Sequence, residues 1–314
     1  MTPYGLRVEH LDHPLGILTA APRLSWRLPP GATGQRAYRI RTGNGWDTGP
    51  VVGSRSLLVG YEGPALRSAE RVTWQVKVWT DRGESDWSAP GWFETGLLHA
   101  GDWRQDWIEP GAPLLRTAFT GRPTRLYLTA HGVYEAFVNG ERVGDAELTP
   151  GFTQYRSRLQ VQTYDIAALV RPGENVLAVV LSGGWWCGQT GALRATRQWG
   201  TRVAVLAQFD DGAIGPWRCA RGHLTSADLI ARPARRPHRA AARLDRAGLR
   251  RLRLGRRPGG PPRLRHPGGL AGAAGAPGRG DRAGRDHPAA PRPAGDRPRA
   301  EHQRLDQAGA PRSG

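Results

Sequence analysis

The chain has 314 residues, with 45 Lys+Arg against 27 Asp+Glu, a length sufficient for roughly two domains. The charge is uneven: residues 1–230 hold 24 basic and 21 acidic residues, the last 84 hold 21 and 6, and all 12 Trp, 7 Tyr and 5 Phe lie before Ile230. The nearly neutral body excludes a uniformly basic nucleic-acid-binding fold, and a tail without rings cannot bury enough apolar surface to offset the entropy of ordering it.

In chain order, the body reads as β-structure almost throughout. Met1 to Thr19 has no basic segment followed by an apolar run, so no signal peptide is expected. The weakly alternating Ala37-Tyr-Arg-Ile-Arg41 is a strand, closed by the turn cluster Thr42-Gly-Asn-Gly45. Arg71-Val-Thr-Trp-Gln-Val-Lys-Val-Trp79 puts Val72, Trp74, Val76 and Val78 on one face, the period-2 pattern of a half-buried strand. Turns follow at Asp81-Arg-Gly83 and Pro90-Gly91. Short strands at this spacing, without helical heptads, predict a β-sandwich of immunoglobulin or fibronectin type III size over residues 1–98.

The pattern resets at Gly101-Asp-Trp-Arg-Gln-Asp-Trp-Ile108, and a second, larger sandwich is expected over 99–230. Arg125–Thr129 and Tyr134–Val138 are strands, the latter entering Asn139-Gly140, whose tolerance of positive φ makes it a strong hairpin signal. Tyr164–Val170 reads as a short helical turn ended by Arg171-Pro-Gly-Glu174, and Asn175–Leu181 as a buried strand. It runs into Gly183-Gly-Trp-Trp-Cys-Gly188, read as a loop in which glycines turn the backbone around two large rings. Arg202–Phe209 is the next strand, with Asp210-Asp-Gly212 its turn. No stretch reaches the roughly 20 apolar residues of a bilayer span. Cys187 and Cys219 could pair, but two thiols in a chain this long fit a reducing compartment, and cytoplasm is the default location.

Several blocks are similar to bacterial α-L-rhamnosidases. In the first unit they are Leu6-Arg-Val-Glu-His10, Pro22-Arg-Leu-Ser-Trp-Arg-Leu28, Trp46-Asp-Thr-Gly49 and Phe93-Glu-Thr-Gly-Leu97. In the second they are Val138-Asn-Gly-Glu-Arg-Val-Gly-Asp145, Pro150-Gly-Phe-Thr-Gln-Tyr155, Arg171-Pro-Gly-Glu-Asn175, Gly184-Trp-Trp186 and Gly222–Ile230. The resemblance implies release of terminal L-rhamnose from glycosides with inversion. An acid and a base carboxylate, roughly 6.5–9.5 Å apart, would do this on an (α/α)-barrel that follows the sandwiches. Nothing after Ile230 resembles that barrel, and Glu109, Glu135, Glu141 and Asp145 read as solvated charges of accessory domains. The chain is therefore expected to be a non-catalytic N-terminal part, inactive alone, with a free-standing carbohydrate-binding module as the alternative.

The Arg/Pro/Gly/Ala-rich segment 231–314 admits three readings: a disordered arm, a nucleic-acid-binding segment, or a stretch translated off-frame. In the frame shifted by one nucleotide, Arg232-Pro-Ala permits Gly-Gln-Arg, Ala247–Leu254 permits Pro-Gly-Phe-Asp-Asp-Ser-Gly-Trp, and His302–Gln307 permits Ile-Asn-Gly-Trp-Ile-Lys, all rhamnosidase-like phrases. The expectation is a slip near Ala231–Arg232. The second sandwich would then lack its final strands and present an exposed edge. No aromatic is available there to stack bases, so no specific nucleic acid is expected.

Trp185 and Trp186 are the candidate carbohydrate contacts. An exposed indole suits the apolar face of a sugar, and adjacent extended residues point to opposite sides, so only one of the pair would reach a ligand. Asn139 is the third candidate. Related sandwich modules bind rhamnose with calcium, but no ladder of oxygen ligands is visible; Asn139, Asp145 and Asp211 are the available oxygens, and turn chemistry accounts for each. His10-Leu-Asp-His13 reads as a loop rather than a metal pair.

Overall fold

Alternating apolar residues and glycine-rich turns build nine strands in the first sandwich: β1 (Tyr4–Val8), β2 (Leu15–Ile17), β3 (Arg23–Arg27), β4 (Gln35–Thr42), β5 (Val51–Val52), β6 (Val59–Gly60), β7 (Arg71–Thr80), β8 (Gly83–Glu84) and β9 (Gly91–Thr95). The computed structural model describes residues 1–212, 214–221, 224–226, 229–230, 234–235 and 250–251. One sheet has the order β1-β3-β6 and the other β2-β9-β7-β4-β5, with β8 on β7. Val72, Trp74, Val76 and Val78 of β7 all face the core, where they meet Leu24, Trp26, Ile40 and Phe93. The expected turn at Pro90-Gly91 starts β9 instead. Gly91 pairs with Trp74, and an added Cβ would lie 3.1 Å from Leu6 and from the Trp74 ring, so glycine serves close strand packing there.

The second sandwich follows a 3-10 turn at Ala100–Asp102. Its strands are β10 (Leu114–Phe119), β11 (Arg125–His131), β12 (Val133–Val138), β13 (Glu141–Arg142), β14 (Gln162–Asp165), β15 (Asn175–Ser182), β16 (Ala204–Phe209), β17 (Arg218–Ala220), β18 (Leu224–Ser226), β19 (Ala234–Arg235) and β20 (Arg250–Arg251), with the one-turn helix α1 (Gly184–Cys187). One sheet runs β13-β12-β15-β10-β17-β20 and the facing one β14-β11-β16, with β18 and β19 paired separately. Asn139 (φ +53) and Gly140 (φ +87) form the β12–β13 hairpin turn. Tyr164–Asp165 belongs to a strand rather than a helical turn: Tyr164 pairs with Leu126 and its hydroxyl lies 2.9 Å from that of Tyr134. β15 is half-buried rather than buried, with Leu177, Val179 and Leu181 inward and Val176, Ala178 and Val180 outward.

The disordered, frame-shifted tail expected over 231–314 lies outside the described residues except for two short strands. One of them, β20, pairs Arg250 with Cys219 and Arg251 with Arg218, and the sheet ends there. Main-chain pairing needs no aromatic side chain.

In the β14-β11-β16 sheet, β11 and β16 are buried on both faces, while β14 at the edge is partly exposed. Leu126, Leu128, Ala130, Val205, Ala207 and Phe209 point into the sandwich core. The opposite face of β16, Ala204, Leu206 and Gln208, is buried as well, because the segment after the 3-10 turn covers it. Gln208 accepts the Arg104 amide at 2.5 Å and donates to the Asp102 carbonyl at 3.0 Å. On β11, Arg125 reaches the first sandwich with paired bonds to the Glu94 carboxylate, Nε–Oε1 2.7 Å and Nη2–Oε2 3.0 Å. Arg71 adds a contact at 3.4 Å and Asp165 holds the outer side of Arg125 at 3.0 Å. Beside this clamp, Gly16 (φ +79) faces Thr163, whose Oγ1 would lie 2.3 Å from an added Cβ.

Candidate functional site

Seven rings gather at the end of the second sandwich where β11 turns into β12. The corner is made by Gly132 (φ +135), where a Cβ would sit 2.3 Å from the Ser182 carbonyl oxygen. Gly184 (φ +46) closes the neighbouring corner, its added Cβ lying 2.3 Å from Val133. Both approaches require glycine. They bring His131, the last residue of β11, against the segment that follows β15.

That segment is a helical turn rather than the expected loop, with the Cys187 amide bonded to the Gly183 carbonyl and the Gly188 amide to that of Gly184, both at 3.1 Å. Successive helical residues diverge by about 100°, so Trp185 and Trp186 take different surroundings. Trp186 stacks on His131 at 4.0 Å and 4°, and His131 stacks on Trp107 at 4.1 Å and 10°. Its Nε1 donates to the Arg202 carbonyl at 3.0 Å, Tyr155 meets it edge-on at 5.3 Å, and a side chain at Gly200 would strike the ring at 2.4 Å. Trp186 is thus fixed on several sides. Trp185 has a looser neighbour, Phe152, at 6.1 Å, and Phe152 is 58% exposed. Tyr155 ties the two loops together by also meeting Phe152 and Trp199, at 6.1 and 5.5 Å. Burial pushes its phenol up to about 12.

Asn139 is not brought to this cluster. Its amide nitrogen donates to the Leu169 carbonyl and to Asn175 Oδ1, and its oxygen accepts the Val176 amide. It sits at the far end of β12 from Val133, about 20 Å along the strand at the usual rise. Its role is to fasten the hairpin to the turn before β15. Asp145 and Asp211 are exposed turn residues, and His13 pairs with its neighbour Asp12 at 2.8 Å. Among the described residues, no group of three or more His, Cys, Asp or Glu side chains is placed to hold a metal ion. Cys187 and Cys219 are not joined in a disulfide. Glu135 and Glu141 are exposed, while Glu109 lies 3.6 Å from Arg202.

Several carboxyls of the first sandwich are held as acceptors. Hydrogen bonds from Arg39 hold Asp47 below its usual range, and Lys77 does the same for Glu84. The Thr33 hydroxyl and the Thr33 and Gly34 amides lower Asp81 to about 2. Glu94, the buried carboxylate among the described residues, is occupied by Arg125.

Comparisons with known proteins agree with this architecture. Residues 3–99 match the family described as Rha78A-like, N-terminal immunoglobulin domain, and residues 121–211 match the alpha-L-rhamnosidase N-terminal domain. The chain carries the N-terminal domains of the bacterial α-L-rhamnosidases. An α-L-rhamnosidase of Formosa agariphila is 34% identical over 222 residues, covering 60% of this chain and 24% of its own. That of Streptomyces avermitilis is 27% identical over 425 positions, covering 71% and 41%. This alignment is longer than the present chain, so the Streptomyces rhamnosidase carries additional residues inside the matched region. Its crystal structure with L-rhamnose superimposes with a TM-score of 0.66 at 25% identity, covering 74% of this chain and 42% of that one. The Aspergillus terreus α-L-rhamnosidase gives 0.65 at 27%, covering 74% and 31%. The chain spans between a quarter and about two fifths of the length of these curated relatives.

Of the seven rings in this cluster, the sequence singles out the Trp185–Trp186 pair and not Trp107, His131, Phe152, Tyr155 or Trp199. The available signal was that the block Pro150–Tyr155 carries two rings in a turn-rich stretch, where rings have no strand face to occupy.

Proposed function

We propose that the two sandwiches form the docking base of an α-L-rhamnosidase acting on rhamnose-containing glycosides, and that hydrolysis is carried by carboxylates outside the described residues. The observation that carries this reading is the match of residues 3–99 and 121–211 to two N-terminal domain families, in a chain that spans a quarter to about two fifths of its relatives' length. An inverting glycosidase needs one carboxyl that keeps its proton near neutral pH, and this requires a raised pKa. Asp47, Asp81 and Glu84 are instead pulled downward by donors, and the buried Glu94 neutralises an arginine. Such a set suits binding and bracing. The test is incubation of the pure chain with a chromogenic α-L-rhamnoside: release at the buffer rate is expected, and turnover that persists through repurification contradicts the proposal.

The exposed Phe152 beside Trp185 favours a second reading, a sugar-binding module. Titration calorimetry with L-rhamnose, with and without calcium, separates the two, since absence of heat in both conditions removes the module.

A further inference from the structure

The chain has three asparagines, and two of them, Asn44 and Asn139, precede glycine. Asn-Gly suits a tight turn because both residues accept unusual backbone conformations. A glycine, having no side chain, also leaves its amide nitrogen open to attack the preceding carboxamide carbon. The two turns hold their carboxamides differently. Asn139 Nδ2 donates to the Leu169 carbonyl at 2.9 Å and to Asn175 Oδ1 at 2.7 Å, and its Oδ1 accepts the Val176 amide at 3.0 Å. Asn175 is itself buried and tied to the Arg171 and Gly173 carbonyls. Turning the Asn139 carboxamide toward Gly140 would strand two main-chain groups and a buried side chain, none of them free to find another partner.

Asn44 meets hydroxyls instead. Its Nδ2 donates to the Tyr61 hydroxyl at 2.7 Å, and its Oδ1 accepts from Thr42 Oγ1 at 2.6 Å. Tyr61 has its own acceptor in the Pro64 carbonyl at 3.0 Å, and the Thr42 hydroxyl also reaches the Trp46 carbonyl at 3.3 Å. Both hydroxyls therefore keep a bond when Asn44 turns away. The Gly45 amide is held by the Thr42 carbonyl at 3.2 Å, a long bond that costs little to break.

We infer that Asn44 is a site of spontaneous deamidation in the folded chain, and that its three bonds protect Asn139 from the same reaction. The Gly45 nitrogen gives its proton to hydroxide and bonds to Asn44 Cγ. The Cγ–Nδ2 bond breaks and ammonia leaves, taking a proton from water, which closes a succinimide ring. Water then adds across one of the two ring C–N bonds, leaving aspartate or, with the main chain rerouted through the side chain, isoaspartate. The sum is amide plus water giving carboxylate plus ammonia, with no oxidant or cofactor. A carboxylate at position 44 accepts from the same two hydroxyls. Isoaspartate lengthens the turn that sets Trp46 edge-on against Tyr61 at 4.8 Å. At position 139 a carboxylate would face two acceptors, the Leu169 carbonyl and Asn175 Oδ1, and unfasten the hairpin.

The experiment is timed incubation of the full chain in warm, mildly alkaline buffer, with and without denaturant, followed by tryptic mapping by mass spectrometry and isoaspartate detection. Trypsin releases 42–55 and 126–142, each carrying a single Asn-Gly pair. In the folded chain, the mass gain and isoaspartate should accumulate in 42–55 at least about tenfold faster than in 126–142. In denaturant the two rates should converge, because the bonds that protect Asn139 are then gone. Equal rates in the folded chain, a faster reaction at Asn139, or a fragment 42–55 that stays intact while the denatured chain converts would each overturn the inference.

Discussion

The two sheets of the second sandwich follow different rules. In the β12-β15-β10 sheet the chain alternates, and one face looks outward through Glu135, Val180 and Arg116. In the β14-β11-β16 sheet every residue of β16 is buried, as are all but the first of β11. Alternation is the mark of an antiparallel sheet with one solvated face, and continuous burial means that a second layer covers the other face. Here that layer is the first sandwich and the segment joining the two, fastened by Arg125 on Glu94 and by Gln208 on the Asp102–Arg104 backbone. The inner sheet packs its apolar face into its own core and uses the other face as a polar joint to the first sandwich. A sandwich that looks like an independent module in sequence is therefore only half of a larger folded body.

Substitutions on matched positions of the two sheets would break or sharpen this contrast. The largest effect is expected at Arg125→Ala. It leaves the Glu94 carboxylate buried with only the more distant Arg71, and should cost about 4 kcal/mol in chemical denaturation. Leu206→Ala on the covered face of β16 should cost about 3 kcal/mol. Val180→Ala on the outward face of β15 should cost less than about 1 kcal/mol, and equal losses at the two positions would refute the asymmetry. Gly16→Ala should cost about 2 kcal/mol, because the new methyl meets Thr163 in a backbone conformation that disfavours side chains.

The smallest effect is alkaline. Burial raises Tyr127 from the usual 10.0 to about 12. A phenol whose proton is held more tightly in the folded state contributes stability that is complete below pH 10 and lost as pH rises through 12. Absorbance titration at the phenolate band should show Tyr127 ionising near pH 12, together with loosening of the joint. Ionisation near pH 10 with the fold intact would show that this side of β11 is wet.

Much of the fold was legible wherever one face of a strand meets water. Val72, Trp74, Val76 and Val78 announced β7 by alternation, and Asn139-Gly140 announced its hairpin because two positive φ values leave little choice of residue. What escaped was decided by distant partners. Nothing local tells Gln208 that the Asp102–Arg104 backbone will meet it, or Arg125 that its counter-ion lies on Glu94, 31 residues earlier. Tyr164 reads locally as the start of a short helical turn, yet it pairs with β11, and the turn begins only after Ile166. At the candidate site the tryptophan pair was legible as rings among glycines. Their division of labour was not, because it depends on one helical turn and on His131 and Tyr155 arriving from other loops.

The two sandwiches form one folded body joined through the β14-β11-β16 sheet. Differential scanning calorimetry of the full chain, alongside Arg125→Ala, should therefore show a single cooperative transition in the unmodified chain, moved to lower temperature or split in two by the substitution. Two separate transitions already present in the unmodified chain, and indifferent to Arg125→Ala, would contradict it.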